Sequence, residues 1–201
     1  WLNSDNNTNF INRNVLMTIN PTMSIPSSQQ EDEEIYLNQM RTIKFPNNPN
    51  GAEPRYLVSV KKPVIFTSSA YLYNDVESKS SYYAVPIMQQ SLHIHYWHDL
   101  ISEAGLGEEV PKKWDDFWQF WQNLQKVLPQ QNDSNIYALG LPMSIYSTDT
   151  YVIFEQILEA NNLQIVDKQG KLQVNKPAIR QKIIEILDWY TSFYKDGYVP
   201  P

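Results

Sequence analysis

The fold of this chain is decided by residues Tyr82–Gly107, which read YYAVPIMQQSLHIHYWHDLISEAGLG, and by PKKWDDFWQF at 111–120. The first stretch predicts a short apolar strand, a break at Pro86, a second strand and a helix that ends at Gly105. Pro111 then leads into an amphipathic helix that is rich in aromatic residues. Strands and helices that alternate in this way indicate an α/β fold.

The second half of the chain continues this alternation. Apolar residues recur at helical spacing behind Pro111, at Trp114, Phe117, Trp118, Trp121, Leu124 and Leu128. A buried strand is predicted over Ile136–Leu141, and a helix from about Asp149 to Asn161. The turn Asp167-Lys168-Gln169-Gly170 predicts a hairpin between Gln164–Val166 and Lys171–Val174.

A long helix is predicted near the end of the sequence. It begins at Pro177, is capped by Asn175 and ends at Gly197. Helical spacing predicts that its inward face holds Ile179, Ile183, Ile184, Leu187 and Tyr190. Trp189 is also predicted to be a core residue.

The N-terminal part of the chain carries a weaker pattern. Val15–Ile19 predicts a strand, and Ser28–Ile43 predicts a helix with acidic residues in its early turns. Residues 46–54 read as a loop because of their Pro, Asn and Gly content. Tyr56–Val60 predicts a strand, and Pro63–Phe66 predicts the start of another element.

Composition excludes several classes of function. The 201 residues are 42% hydrophobic and 19% charged, which is ordinary for a globular protein. A net charge of −6 argues against a nucleic-acid partner, since phosphate binding needs clustered Lys and Arg. The absence of cysteine excludes disulfides, thiolate nucleophiles and zinc-thiolate sites. The 6 Trp and 13 Tyr offer both core residues and platforms for the apolar faces of sugar rings.

The loop MSIYSTD, between the buried strand and the next helix, is the strongest candidate binding site. Open α/β sheets bind ligands in the crevice at the carboxyl ends of their strands. Tyr146 could stack on a sugar face, and Ser144, Thr148 and Asp149 could bond sugar hydroxyls. The alternative is that Ser147, Thr148 or Asp149 only caps the helix.

Three histidines, His93, His95 and His98, raise the alternative of a metal site. His93 and His95 share one face of a strand, and neutral imidazole suits zinc or copper. No carboxylate or third ligand stands at a matching spacing on that face, and Asp99 begins a helix. We therefore expect these histidines to be structural, with no metal and no other cofactor.

Motifs of common enzymes are missing from the sequence. It has no G-x-S-x-G elbow, no P-loop and no H-E-x-x-H. Asp115 and Asp116 fall in the first turn of a predicted helix, where the helix dipole explains them. We expect no enzymatic activity, and a carbohydrate-active enzyme is the weakest of the interpretations.

Several of these motifs, in this order, resemble the sugar-type extracellular solute-binding proteins of bacterial ABC importers (family 1). The matching pieces are Tyr83–Pro86, His95–Leu100, Glu103–Leu106, Pro111–Phe117, YALGLP at 137–142, LQVNKP at 172–177 and YKDGYVPP at 194–201. The resemblance covers roughly residues 82–201.

The resemblance implies a periplasmic-binding-protein-like α/β fold of type II with two lobes, of which this chain is expected to be a partial chain covering the middle. Residues 1–90 would belong to the first lobe, with an irregular N-terminal region. Residues 91–135 would carry the crossover strand and the aromatic-rich helices, and residues 136–201 would belong to the second lobe.

The resemblance also implies a function. The expected role is capture of a sugar, oligosaccharide or polyol by hinge closure, for the membrane permease of an ABC transporter. Gln90, and after it Gln89, is implied to bond a sugar hydroxyl. A monomer in the periplasm or another extracytoplasmic compartment is expected. The alternative is a protein-interaction or sensor module on the same fold.

Overall fold

The computed structural model describes residues 5–21, 32–54, 58–59, 72–74, 80–82, 90–105, 107, 109–128, 136–167 and 169–200. The chain packs into two compact units. The larger unit holds Trp1–Tyr56 and Leu92–Pro201, and the smaller unit holds Leu57–Ser91. The division into lobes at residues 90 and 135 stays a prediction.

Helices and strands are interspersed along the chain, and the architecture is mixed α/β as predicted. The helices are α1 (Asp5–Ile11), α2 (Glu33–Gln39), α3 (His98–Glu103), α4 (Trp114–Val127), α5 (Thr148–Ala160) and α6 (Pro177–Lys195). The strands are β1 (Val15–Pro21), β2 (Met40–Ile43), β3 (Val58–Ser59), β4 (Leu72–Asn74), β5 (Ser80–Tyr82), β6 (Gln90–Trp97) and β7 (Tyr137–Gly140).

The main sheet of the larger unit is mixed, with the strand order β2–β6–β1–β7. β6 runs antiparallel to β1 and to β2, so that His95 lies opposite Thr18 on one side and Thr42 on the other. β7 runs parallel to β1 and places Gly140 opposite Thr18. The strand predicted at Val15–Ile19 is therefore confirmed, and it lies inside the sheet.

The smaller unit contains short antiparallel pairs. β3 pairs with the first residues of β6, with Val58 opposite Ser91. β4 pairs with β5. The strand predicted at Tyr56–Val60 is confirmed over its described residues. Pro86 and the element predicted at Pro63–Phe66 lie outside the described residues.

The core of the larger unit is built on the aromatic face of α4, as the spacing predicted. Trp114, Phe117, Trp118, Trp121, Leu124 and Leu128 are all buried. Ring centroids lie 5.6 Å apart between Trp118 and Trp114, and 5.2 Å apart between Trp118 and the half-buried Trp189 of α6. Each large apolar side chain that is fully buried stabilises the fold by about 1.5–3 kcal/mol, so this face is a major source of stability.

The helix predicted over Ser28–Ile43 is wrong at its C-terminal end. α2 begins after Asp32, whose Oδ1 accepts a hydrogen bond from the Ile35 amide at 2.9 Å. Met40–Ile43 forms β2 instead, because β6 pairs with its backbone and its last two residues are β-branched. Residues 28–31 lie outside the described residues.

The last helix is confirmed, but its cap and its buried face differ from the prediction. Lys176 occupies the N-cap position in place of Asn175, and no side chain makes a capping bond there. Ile184 and Leu187 are 43% and 45% exposed, so the prediction that they face the core is wrong. The residues that pack inward are Ile186, Trp189, Tyr190 and Phe193. Apolar residues surround too much of this helix for spacing alone to select one face.

The other predicted elements of the larger unit are confirmed. β7 lies within the predicted strand, and α5 covers the predicted helix to within one residue at each end. Gly105 follows α3 with φ +72°, and Gly197 follows α6 with φ +75°. These left-handed conformations favour glycine, which explains why the two helices end there.

Candidate functional site

The loop between β7 and α5 is a hydrogen-bonded turn that exposes two large side chains. The Ser147 amide donates to the Ser144 carbonyl at 3.1 Å, and the Tyr146 amide donates to Ser144 Oγ at 3.2 Å. The Tyr151 hydroxyl of α5 donates to the Ile145 carbonyl at 2.7 Å. These bonds hold Ile145 and Tyr146 outward, with exposed fractions of 71% and 83%.

An open cavity of about 420 Å³ lies beside this turn. It is lined by Leu141, Met143, Ser144, Ile145, Tyr146, Thr191, Tyr194, Lys195, Val199 and Pro200. One wall is the turn after β7, and the other is the last part of α6 with the segment that follows it. A cavity at the carboxyl end of a sheet strand is a common ligand position in α/β folds.

Tyr190 links the two walls of the cavity. Its hydroxyl donates a hydrogen bond to the Pro142 carbonyl at 2.9 Å, between α6 and the residue that follows Leu141. Burial raises the pKa of Tyr190 above its ordinary value, so the hydroxyl keeps the proton that it donates. The spacing of the two walls is therefore fixed from within the core.

Two of the predicted site residues, Ser144 and Tyr146, line this cavity. Thr148 is exposed and Asp149 half-buried in the first turn of α5, and neither lines the cavity. Ser147 occupies the N-cap position, but its buried hydroxyl makes no capping bond. The turn that begins α5 is therefore stabilised by the backbone and by Ser144, and the roles predicted for Thr148 and Asp149 stay predictions.

The two glutamines predicted to bond ligand belong to the smaller unit. Gln89 lies outside the described residues, and Gln90 is the first residue of β6, where it pairs with Ser59. The backbone of Gln90 is described and its side chain is not. The binding role of both residues stays a prediction.

The cavity also contains residues that the sequence analysis did not select. Thr191, Tyr194 and Lys195 belong to α6 and lie on one side of it, because residues three and four apart share a helix face. The helical spacing of these three residues was the available signal. It did not show that this helix face meets the turn after β7, since that contact depends on tertiary packing.

The histidines do not form a metal site in the part of the chain that the structure describes. No group of three or more potential ligands occurs among the described residues. His95 is buried, and its Nδ1 lies 2.9 Å from Thr42 Oγ1 on the neighbouring strand. Burial lowers the pKa of His95 from 6.5 to about 4, so the ring is neutral at physiological pH. This geometry supports the cross-strand, structural interpretation of His95.

A second cavity, of about 390 Å³, lies beside the predicted hairpin turn. Asp167 and Gln173 line it, but Gln173 Nε2 donates to Asp167 Oδ2 at 2.6 Å, and Asp167 Oδ1 accepts from the Lys171 amide at 2.8 Å. An antiparallel bridge between Val166 and Leu172 closes the turn. The hairpin is therefore confirmed, and these two polar side chains stabilise the turn itself.

Comparison with known proteins identifies the family. Residues 29–201 match the family model described as bacterial extracellular solute-binding protein. No curated protein and no solved structure matches the chain. Among the described residues, no helix has both the length and the apolar character needed to span a bilayer. The match extends over most of the sequence, and the α/β architecture agrees with part of a solute-binding fold, so the chain belongs to the bacterial extracellular solute-binding protein family.

Proposed function

We propose that this protein captures a sugar, oligosaccharide or polyol at the cavity between the turn after β7 and α6. The observation that carries the proposal is Tyr146, which is 83% exposed at the cavity wall and is held there by a hydrogen-bonded turn. Exposing an aromatic ring to water is unfavourable unless a partner covers it. The apolar face of a sugar ring is such a partner.

Family membership supplies the coarser part of the function. A protein of this family binds a solute outside the cytoplasm and delivers it to the permease of an ABC transporter. The carbohydrate class of the solute is our proposal, and it is supported by the tyrosines and hydroxyls of the cavity. Tyr146 and Tyr194 supply aromatic surface, and Ser144 supplies a hydroxyl group.

The proposed mechanism is binding without catalysis. Ligand would stabilise a closed arrangement of the protein by binding it more tightly than the open one, because a ligand shifts a conformational equilibrium only through such a difference. The cavity supports this mechanism since none of the ten lining residues that the structure describes is a carboxylate, whereas a glycosidase needs a pair of them.

A second candidate function is supported by one observation on α6. Ile184 and Leu187 leave apolar area in solvent at 43% and 45% exposure, on a helix that also reaches the cavity. Exposed apolar area on a helix is typical of surfaces that bind other proteins. A protein-interaction or sensor module therefore remains the alternative function.

Substitutions of single residues test the proposed site. Tyr146→Ala should weaken sugar binding at this cavity, by about tenfold if the lost contact contributes about 1.4 kcal/mol. Gln90→Ala tests separately the expectation that Gln90 bonds a sugar hydroxyl, and it should also weaken binding. The melting temperature should hardly change for Tyr146→Ala, because the side chain is almost fully exposed. Leu37→Ala on α2, also exposed, is the matched control. Unchanged affinity in both variants would show that the site assignment is wrong.

A further inference from the structure

We infer that the solute carries a negatively charged group, as a uronic acid or a sugar phosphate does, and that Lys195 is the cation that binds it. The inference rests on the proposed function and narrows it from carbohydrates in general to anionic sugars. The evidence for it is the charge and the hydrogen-bonding groups of the residues that line the cavity.

The charge of the cavity is the first observation. Among the described residues, ten line the cavity; of these Lys195 alone carries a formal charge, and none is an aspartate or glutamate. In the part of the chain that the structure describes, Lys195 makes no ion pair; the described pairs are Arg13 with Asp99 and Lys44 with Glu53. An ammonium group without a carboxylate partner, at the wall of a cavity, is available to a ligand anion.

The balance of donors and acceptors is the second observation. Neutral sugar hydroxyls both donate and accept, so Asp, Glu, Asn and Gln suit them, yet the described lining of the cavity holds none of these four residue types. The Ser144 hydroxyl already accepts from the Tyr146 amide, which leaves its proton to donate. Together with the Lys195 ammonium, the cavity is rich in donors.

The other hydroxyls of the cavity fit the same pattern. Tyr146 and Tyr194 are 83% and 52% exposed, and their phenol groups can donate to a ligand. Thr191 gives its own proton to the Leu187 carbonyl at 2.9 Å, so toward a ligand this hydroxyl is an acceptor. A carboxylate or phosphate only accepts hydrogen bonds, and a donor-rich cavity with one cation suits it better than a neutral hydroxyl.

The negative net charge of the chain supports a role for Lys195 in binding an anion. With a net charge of −6, the surface as a whole repels anions, so an anionic solute needs a local cation. Lys195 also lies in the last turn of α6, where a cation stabilises the helix dipole. A substitution of Lys195 distinguishes ligand binding from stabilisation of the helix dipole. Only ligand binding by Lys195 makes the affinity of the protein for a sugar depend on the charge of that sugar.

The test is a comparison of matched sugars against two lysine variants. Affinities would be measured for glucose with glucuronate, galactose with galacturonate, and glucose 6-phosphate, at low and at high ionic strength. The anionic sugars should bind at least tenfold more tightly than their neutral partners, and salt should reduce the difference. Lys195→Gln should remove most of that preference. Lys176→Gln, at the opposite end of α6, should leave it unchanged, and the melting temperatures of both variants should stay close to that of the parent.

Each outcome decides the inference. The inference is supported if uronates, the sugar phosphate or both bind more tightly than neutral sugars and if Lys195→Gln loses this preference. The sugar that binds tightly then identifies the anion. Equal affinity for neutral and anionic sugars overturns it while leaving the proposed function intact. A preference that survives Lys195→Gln overturns the role of Lys195. Failure to bind any sugar overturns both the inference and the proposed function.

Discussion

At the scale of single residues, His95 is a titratable side chain buried within the sheet. It is 1% exposed, lies opposite Thr18 and Thr42 on the neighbouring strands, and has its Nδ1 2.9 Å from Thr42 Oγ1. Burial of the ring disfavours the charged form and lowers the pKa of His95 to about 4. In an unfolded chain the same ring titrates near its ordinary pKa of 6.5.

This difference predicts how stability depends on pH. Between pH 6.5 and pH 4 the unfolded state binds a proton at His95 that the folded state does not, so the free energy of unfolding falls as the pH is lowered. Above pH 6.5 the buried neutral ring contributes about 3 kcal/mol to the free energy of unfolding, relative to acid conditions. This contribution is lost as the pH falls toward 4. Urea unfolding at several pH values measures it.

The control for this prediction is a comparison of two variants. His95→Gln should flatten the dependence of stability on pH in that window, whereas Leu37→Ala, at an exposed position and without a titratable group, should leave the dependence as in the parent. An identical slope in His95→Gln and the parent would contradict the assignment of the effect to His95.

Single residues also show what the sequence could predict about the site. Ser144 and Tyr146 were predictable, because a loop that follows a buried strand and precedes a helix is where α/β folds bind ligands. Thr191, Tyr194 and Lys195 were not, because they reach the cavity only through the packing of α6 against the turn. Local patterns carry no information about which helix face meets a given loop.

At the scale of elements, β1 and β7 approach each other closely at Gly140. A Cβ added at Gly140 would lie 2.7 Å from Val15 Cγ2 and 2.8 Å from the Met17 carbonyl oxygen. Both neighbours belong to the adjacent parallel strand, and a backbone carbonyl cannot move without disturbing the pairing. Glycine at this position therefore permits the close approach of the two strands.

Gly140→Ala should consequently destabilise the protein by at least about 1–3 kcal/mol, as overpacking does in other cores. Chemical unfolding of the variant and the parent measures the loss. Gln181→Ala, at an exposed position of α6, is the control and should have little effect. A midpoint for Gly140→Ala equal to that of the parent would mean that β1 and β7 are further apart than described here.

The helices and strands also show which parts of the fold could be predicted from the sequence and which could not. The strand at β1, the helices α4 and α5 and the hairpin turn at Asp167 follow from local periodicity and turn residues, and they are confirmed. Met40–Ile43 was predicted as helix and is a strand, because pairing with β6 outweighs a weak helical pattern. The buried face of α6 was misplaced for a related reason, since its neighbours in the fold select the face.

At the scale of the whole molecule, the main sheet joins distant parts of the chain. β1 pairs with β6 and with β7, although the family match begins only at residue 29. The order of motifs after Tyr82 was enough to predict the family and the fold class. It did not predict that β1 lies between β6 and β7, because pairing of distant strands leaves no mark on local sequence.

The position of β1 predicts the effect of removing it. A chain without residues 1–21 would lose a strand with partners on both sides and expose buried apolar residues of β6 and β7. We expect it to lose cooperative thermal unfolding, which circular dichroism would show. Cooperative unfolding of the shorter chain at the parent temperature would contradict the central role of β1.

The central claim, that this family member binds a carbohydrate, is tested most directly by one titration. The protein would be titrated with a panel of neutral and anionic sugars and polyols while tryptophan fluorescence and melting temperature are followed together. We predict saturable change with one class of sugar, and no product formed. At a concentration of 100 times Kd, the stabilisation of about 2.7 kcal/mol should raise the melting temperature by roughly 5–10 °C. No change across the panel, from a sample that unfolds cooperatively, would contradict the claim.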